Sequence, residues 1–488
     1  MELFPARDIL ARDVLASVVV FLVALPLCIG VAVASGVPPE LGLVTGIVGG
    51  LVAGALPGSS LQVSGPAAGL TVLVYEAVRE HGLQILGLVV LATGLLQLSM
   101  GALRLGRWFR AISISVVQGM LAGIGLALVF GQAHTLFDGR SPGAPLANLT
   151  ALPALVADSA RDPSALAAGG IGAGTLLVLA CWRFVPAWLR TIPAALAAVA
   201  LATLATALLD LPVKRIEVNG LLESLRPPAL DHLGRLADVG ILGTIIAFAL
   251  IASAESLFSA AAVDRMHDGP RTRYDQELMA QGAGNTVCGM LGALPMTAVI
   301  VRSATNVQAG ARTKLSRVLH GGWLLIFTVA APAALGVIPV TALAAVLVHA
   351  GWKLLSPREV GRLWRTERGE AIVLMGTTLA IVCTNLFEGV LIGILLAVAK
   401  TAWDVSDIHV DVRGNDEGPI EIRLTGNATF LRLPRVLDTL EAIPHGRPVE
   451  LDLSGLRHLD HACRTALLSW ATQHQRRDDT PVRVSEPV

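Results

Sequence analysis

The sequence predicts an α-helical polytopic membrane protein with a small α/β domain at its C-terminal end. Three observations lead there. Of the 488 residues, 53% are hydrophobic and only 15% charged, where a soluble domain carries about 25% charge; the mean hydropathy is +0.66. Long stretches hold no Asp, Glu, Lys or Arg, among them 14–39, 41–75, 82–103, 111–137 and 163–182, and a helix needs about 20 apolar residues to cross a bilayer. From Asp404 onward the chain turns polar and alternates apolar with polar residues, which is the period of a strand.

Taken in order, spans are expected near 14–34, 41–57, 64–79, 83–103, 111–131, 165–182, 191–209, 239–263, 274–293, 298–310, 317–334, 336–352, 370–385 and 387–402, about fourteen in all. The residues before the first span are polar and charged, and no short apolar core with a cleavage site precedes it, so no cleaved signal peptide is expected. Membrane proteins keep Lys and Arg in their cytoplasmic loops. With the N-terminus inside, the cytoplasmic loops carry Arg104, Arg107 and Arg110; Arg183 and Arg190; Arg265, Arg271 and Arg273; Arg312, Lys314 and Arg317; and Lys353, Arg358, Arg362, Arg365 and Arg368. The opposite turns at 294–295, 336–339 and 385–389 carry none. Both ends are therefore expected in the cytoplasm, with the chain in the cell membrane.

The domain boundary is expected between a membrane part, 1–403, and a soluble part, 404–488. In the latter, 421–425 and 449–453 read as strands, 481–484 as a third strand candidate, and 431–443 and 461–475 as amphipathic helices.

Composition also excludes. Lys+Arg and Asp+Glu are both 37, so no excess charge points to nucleic acid. Cys28, Cys181, Cys288 and Cys383 sit in apolar runs at no paired spacing, which reads as small core residues and not as a disulfide scaffold. No His/Cys metal pattern, phosphate loop or nucleophile elbow supports an enzyme, and no cofactor is expected.

Two spans are broken at corresponding places in the two halves. Pro57-Gly58-Ser59-Ser60-Leu61-Gln62-Val63-Ser64-Gly65-Pro66-Ala67-Ala68-Gly69 precedes the apolar run 70–74, and Gly292-Ala293-Leu294-Pro295-Met296-Thr297-Ala298 precedes Val299-Ile300-Val301-Arg302-Ser303-Ala304. Irregular backbone at membrane depth is tolerated where it lines a cavity, and paired interruptions point to a transporter site. The physical expectation is an extended entrance followed by a half-helix that begins near the midplane. Its first N–H groups have no intrahelical partner and carry about +0.5 charge, so two facing ends would hold a small anion. The competing reading is two kinked helices packed by small residues.

Two charges lie at membrane depth. Glu255 sits mid-span in Ala252-Ser253-Ala254-Glu255-Ser256-Leu257-Phe258-Ser259, where an acid costs roughly 2.5–3.5 kcal/mol. It reads as a carrier of a proton or cation, or as a structural acid paired with Ser or Arg. Arg302 lies about one turn into the second half-helix, and three directions are open to it: toward an anion, toward Glu255, or toward the cytoplasm.

At these residues the chain resembles the SulP family of anion transporters, the sulfate permeases. The resemblance rests on Val23-Ala24-Leu25-Pro26, on Ser64-Gly65-Pro66 and on the long string Arg302-Ser303-Ala304-Thr305-Asn306-Val307-Gln308-Ala309-Gly310-Ala311-Arg312-Thr313-Lys314-Leu315-Ser316. The tail Val449-Glu450-Leu451-Asp452-Leu453-Ser454-Gly455-Leu456-Arg457-His458-Leu459-Asp460 is similar to the core of a STAS domain.

The resemblance implies inverted repeats of seven plus seven helices and a core moving against a gate; a homodimer is expected, with the tail as a dimer or partner surface. The resemblance places substrate contacts on Pro66, Ala67 and Ala68, on Ala298, Val299, Ile300 and Val301 with Arg302 at the family's arginine, and on Pro26, Leu27 and Val31. Many sulfate and oxalate exchangers of the family have Pro-Gln where this chain has Pro26-Leu27, so the likeness is greater to the bicarbonate transporters. The sodium-coupled ones have Asp where Glu255 stands and Thr where Ser259 stands. Helical spacing puts these two on one face. Glu255 and Ser259 are thus the expected coupling-ion pair, for sodium or a proton; if the ion is sodium, Glu255, Ser259, Ala298 and Ile300 are its expected ligands.

The tail reads Asp460-His461-Ala462-Cys463 where related domains carry a phosphorylatable Ser, so no phosphoserine switch is expected. The STAS-like domain is expected to be truncated, without its final helix. The function expected is symport of bicarbonate, with sulfate or a dicarboxylate as alternative substrates. A channel-like conductor and a membrane-anchored sensor are the other classes considered. A nucleobase carrier is disfavoured, because Arg302 and no acid stands at its second-carboxylate position.

Overall fold

The computed structural model describes residues 7–485 apart from 112, 187–188, 190–191, 218–219, 356, 415–417, 445 and 479. Arg190 and the first six residues of the polar start fall outside the described residues. Contacts divide the chain into Met1–Ile394 and Leu395–Val488.

The first unit opens with α1 (Arg7–Ala34) and α2 (Pro39–Val48), which continues as a π-helical turn, Gly49–Ala53. Strand β1 (Ser64–Pro66) and a 3-10 turn (Ala68–Leu70) lead into α3 (Thr71–His81). Next come α4 (Leu83–Ala102), α5 (Ile114–Leu136), α6 (Pro145–Ser159), α7 (Pro163–Cys181), α8 (Ala194–Leu208) and the single turn α9 (Leu221–Ser224). The second half runs through α10 (Val239–Val263), α11 (Tyr274–Met290), β2 (Met296–Ala298), α12 (Ile300–Gln308), α13 (Leu315–Ala330) and the single turn α14 (Ala333–Gly336). It ends with α15 (Val340–Leu354), α16 (Pro357–Thr366), α17 (Arg368–Cys383) and α18 (Leu386–Val405). The split between the units falls within α18, ahead of the expected boundary at 403/404.

Among the described residues, six helical stretches are long and apolar enough to cross a membrane: Asp8–Ala34, Leu83–Ala102, Ile114–Leu136, Pro163–Phe184, Val239–Val263 and Val340–Thr366. Pro39–Ala53, Ala194–Leu208 and Leu315–Ala330 are shorter apolar helices. Local signals explain several starts. Asp162 and Asp238 accept the Ser164 and Gly240 amides, each at 2.9 Å, and so cap α7 and α10. Helices α6 and α16, in segments expected to be loops, both begin with Pro, whose fixed φ suits a first turn.

Within this unit α4 and α11 pack backbone to backbone. Gly87, Gly94 and Gly101 on one helix and Gly282 and Gly289 on the other recur every seven residues. A Cβ at Gly94 would lie 2.3 Å from the Thr286 amide nitrogen, and one at Gly289 would lie 2.2 Å from that of Leu91. Small residues let membrane helices approach in this way. The cysteine expectation needs correction: Cys28 and Cys288 are buried, but Cys181 and Cys383 are exposed on their helices. An apolar run in a membrane protein is apolar on its outer face as well, so it does not locate a core.

The second unit is a four-stranded sheet in the order β3 (Ile408–Arg413), β4 (Ile420–Ala428), β5 (Val449–Leu459), β6 (Val482–Ser485). Strand β3 is antiparallel to β4; β4–β5 and β5–β6 are parallel. Helices α19 (Leu433–Glu441) and α20 (His461–Asp478) supply the crossovers. Ile422, Leu424, Leu451 and Leu453 meet Val436, Leu440, Leu467 and Trp470 in its core. The antiparallel edge strand β3 was not expected from the sequence.

Candidate functional site

The two interrupted segments lie side by side. Strands β1 and β2 pair antiparallel, with Ser64 opposite Ala298, Gly65 opposite Thr297 and Pro66 opposite Met296. Because the strands run in opposite directions, the half-helices that follow them leave in opposite directions, and their N-terminal ends flank the crossing. Neither α3 nor α12 has a side-chain cap.

Extended backbone at this depth must find its hydrogen bonds in protein, and side chains of the surrounding helices supply them. Asn285 on α11 accepts the Met296 amide at 2.7 Å and donates to the Met296 carbonyl at 3.0 Å. Its amide also donates to Gln97 Oε1 at 2.7 Å, and Gln97 Nε2 donates to Ser253 Oγ at 3.1 Å. Ser256 on α10 ties both segments: its hydroxyl accepts the Ala298 amide at 3.1 Å, and its carbonyl accepts Gln62 Nε2 at 2.7 Å. On the β1 side, Val63 N donates to Ser303 Oγ at 2.9 Å, and Gln281 Nε2 donates to Ser64 Oγ at 2.7 Å.

Beside the crossing is a small cavity of about 50 Å³, room for a few water-sized groups. Of the residues expected at the substrate site, Leu27, Val31, Pro66, Val299, Ile300, Val301 and Arg302 line it, and so do Glu255 and Ser259. Pro26, Ala67 and Ala298 are outside its lining, the latter two fully buried behind it. Ala68 starts the 3-10 turn, and its side chain lies outside the described residues. Gly69 on the 3-10 turn, Leu121, Ile124 and Leu128 on α5, and Leu347, Ala350 and Leu354 on α15 complete the wall; none of them was among the expected site residues.

The two membrane charges point to different places. Glu255 lies against the start of α3: a Cβ at Gly69 would come within 2.9 Å of Glu255 Oε2. That oxygen makes no hydrogen bond of ordinary length, and the Thr297 hydroxyl is the side chain that interacts with the carboxyl. Arg302 is fully buried, and its guanidinium passes behind β1, where Gly65 leaves room for Nη1. The Cys28 thiol and the His320 ring are its neighbours, and its Nε and Nη1 have no acceptor. Glu255 and Arg302 form no ion pair. Of the three directions open to Arg302, it takes none in full: one wall of the cavity is Arg302, but its charge sits behind the helix ends.

A polytopic helical membrane unit with two uncapped helix starts at one buried crossing, followed by an α/β domain, defines a class of membrane transporter. Residues 10–377 match the sulfate permease family, and the chain belongs to it. Residues 411–485 match the MlaB-type STAS domain. This is an anion-transporter family of multi-pass membrane proteins and not of enzymes. Among curated relatives, the putative sulfate transporter YvdB of Bacillus subtilis is 28% identical over 79% of this chain and 72% of its own length. The bicarbonate transporter BicA of Synechocystis is 26% identical over 94% of this chain and 85% of its own. The solved transmembrane domain of a cyanobacterial BicA aligns with TM-score 0.67 at 24% identity, covering 79% of this chain and 98% of that one. Murine solute carrier 26 family member A9, an anion transporter solved in the inward-facing state, aligns with TM-score 0.77 at 14% identity, covering 99% and 86%. At these identities the two structures show a shared fold.

Proposed function

We propose that the protein is a secondary transporter of bicarbonate, driven by sodium or a proton taken up at Glu255. The observation that carries the reading is the cavity wall. Uncapped helix starts at α3 and α12 supply backbone N–H groups, which bind a small anion without charged side chains in contact. Leu27 in that wall has no hydrogen-bonding group for the further oxygens of a sulfate. Arg302, buried behind β1 with Nε and Nη1 lacking an acceptor, adds positive potential from a distance where it does not grip the substrate. Glu255 and Ser259, one turn apart on α10, offer hard oxygen atoms. If sodium is the ion, these two are its side-chain ligands, and Ala298 and Ile300 of the crossing contribute backbone oxygen. The cell membrane is the expected location, with both ends cytoplasmic and the chain working as a homodimer.

Transport of sulfate with a proton is the second reading, favoured by relatives named as sulfate transporters. Labelled bicarbonate uptake into proteoliposomes separates the two, run with an inward sodium gradient, an inward proton gradient and neither, with sulfate as competitor. Sodium-driven uptake insensitive to sulfate supports the first reading. Absence of bicarbonate uptake together with proton-driven sulfate uptake replaces it with the second. A large uncoupled conductance would make the protein a channel.

A further inference from the structure

One face of α5 passes three spaces in turn. Near its start, Val117, Gln118 and Leu121 border a cavity of about 430 Å³ whose wall also holds Glu255, Ser259, Arg265 and Tyr274. At its middle, Leu121, Ile124 and Leu128 border the central cavity. Toward its end, Leu128, Gln132 and Thr135 border a third cavity of about 280 Å³. Residues three and four apart share a helix face, so this stripe is polar at both ends and apolar between. The first space shares Leu121, Glu255, Ser259 and Ile300 with the central cavity. The third shares Leu128 alone. It lies at the end of α1 remote from the N-terminus, where Val33 and Ala34 form part of its wall.

The third cavity is built to hold something polar. Arg140, Gln132, Tyr75 and Thr135 line it, and their side chains make no hydrogen bond or ion pair among the described residues. Gln132 is 6% exposed, and its unpartnered amide keeps its open surface toward the cavity. Ser141 and Asn148 in the same wall are engaged with one another and with Gly143, at 2.8 Å and 3.1 Å. The loop that presents Arg140 is fixed two residues earlier. There the Asp138 carboxylate accepts the Lys214 amide at 3.0 Å, and Lys214 Nζ donates to the Asp138 carbonyl at 2.5 Å. An unpaired guanidinium, a primary amide and a phenol around one space supply a cation and N–H and O–H donors, which is what an oxyanion needs.

We propose that this cavity is a second binding site for the transported small oxyanion, a vestibule on the membrane face away from the N-terminus, with Leu128 as its floor. Arg140 draws the anion in and Gln132 and Tyr75 donate to it before it passes Leu128 to the helix ends. The proposal rests on the anion reading above.

The test uses the full chain in proteoliposomes with labelled bicarbonate and labelled sulfate in turn. For whichever anion the wild type carries, Arg140→Gln raises the half-saturating concentration about two- to fivefold, more than it lowers the maximal rate. Arg140→Lys restores most of the affinity. Raising ionic strength closes the gap between wild type and Arg140→Gln, because an exposed charge is screened. Gln132→Leu weakens affinity without that salt dependence. A half-saturating concentration unmoved by Arg140→Gln in an active wild-type background overturns the vestibule and leaves the anion reading intact. A loss that Arg140→Lys does not restore assigns the effect to packing and also overturns it. A wild type that carries neither anion overturns the anion reading, and the vestibule with it.

Discussion

The guanidinium of Arg302 occupies the space that a side chain at Gly65 would fill: a Cβ there would stand 2.1 Å from Nη1. The missing side chain on β1 is what lets a cation sit behind both helix starts. Gly65→Ala therefore displaces Arg302, and in a fully buried position the displacement costs about 1–3 kcal/mol. Anion affinity falls with it, as it does in Arg302→Ala. A double-mutant cycle read by uptake checks the coupling: in the Arg302→Ala background, Gly65→Ala adds little further loss. Additive losses would show that the two residues act separately.

Asn285 holds Met296 as a neighbouring strand would, through both backbone groups. Asn285→Ala leaves a buried N–H and C=O without partners and is expected to cost about 1–3 kcal/mol. Asn285→Asp keeps the acceptor for the Met296 amide and loses the donation to its carbonyl and to Gln97, so it falls between. Thermal unfolding of the purified variants measures the order. Equal melting of Asn285→Ala and wild type would show that water replaces the clamp.

What was legible in the sequence was what is costly in a membrane. Glu255, Pro66 and the Gly/Pro breaks before α3 and α12 stood out because polar or irregular backbone is dear at that depth. Leu121, Ile124, Leu128 and Leu347 did not, because an apolar residue facing a cavity has the same chemistry as one facing lipid. The direction of Arg302 was illegible for a different reason. It depends on Gly65, more than two hundred positions away in sequence, and on a strand pairing of three residues that no local pattern announces. The seven-residue recurrence of Gly87, Gly94 and Gly101 against Gly282 and Gly289 was present in the sequence and unread, since it marks a helix pair only when both partners are known.

That helix pair sets a clear contrast among glycines. Gly289→Ala places a methyl group 2.2 Å from the Leu91 backbone nitrogen, and backbone has no rotamer by which to move aside. Separation of α4 from α11 is expected to cost about 1–3 kcal/mol or more and to lower the yield of monodisperse protein. Gly170→Ala and Gly174→Ala on α7 meet nothing within 4 Å and are expected to stay within about 0.5 kcal/mol of wild type. Size-exclusion profiles and melting curves of the three variants test this. Equivalent behaviour would mean that the α4–α11 contact relaxes.

In the C-terminal domain, Asp460 caps α20 and ties the chain leading into α19. Its two oxygens accept the Cys463 amide at 2.7 Å and the Phe430 amide at 2.6 Å. Partial burial pushes the Asp460 carboxyl up, and the two backbone N–H bonds, together with the Cys463 thiol and His458, outweigh that and leave it below the usual Asp value. A carboxyl lowered by folding stabilises the fold above its unfolded pKa of about 3.9 and loses that contribution as pH falls through its folded value. Asp460→Ala is expected to cost about 0.5–2 kcal/mol at neutral pH, with a smaller difference from wild type at pH about 3. Hydrogen exchange of the segments around Phe430 and Cys463 reads it directly. Protection unchanged at neutral pH would remove Asp460 from the cap.

On the proposed reading, Glu255 carries the coupling ion. Its side chain lies in the wall of the central cavity, its Oε2 makes no hydrogen bond of ordinary length, the Thr297 hydroxyl interacts with the carboxyl, and Ser259 follows one helical turn on. A cation or proton arriving here would compensate the anion at the helix starts, so that the loaded site moves with little net charge. Glu255→Gln keeps size and hydrogen bonding but holds no charge. It is expected to reduce gradient-driven uptake by about tenfold or more, the effect of about 1.4 kcal/mol of lost driving interaction, while anion exchange at equal concentrations on both sides falls less. Glu255→Asp separates the two candidate ions. If sodium is carried, the shorter carboxylate still ligates it and sodium dependence persists with an altered half-activating concentration. If a proton is carried, sodium has no effect in either protein. Gradient-driven uptake by Glu255→Gln at the wild-type rate would take Glu255 out of coupling altogether and leave it as a structural acid above Gly69.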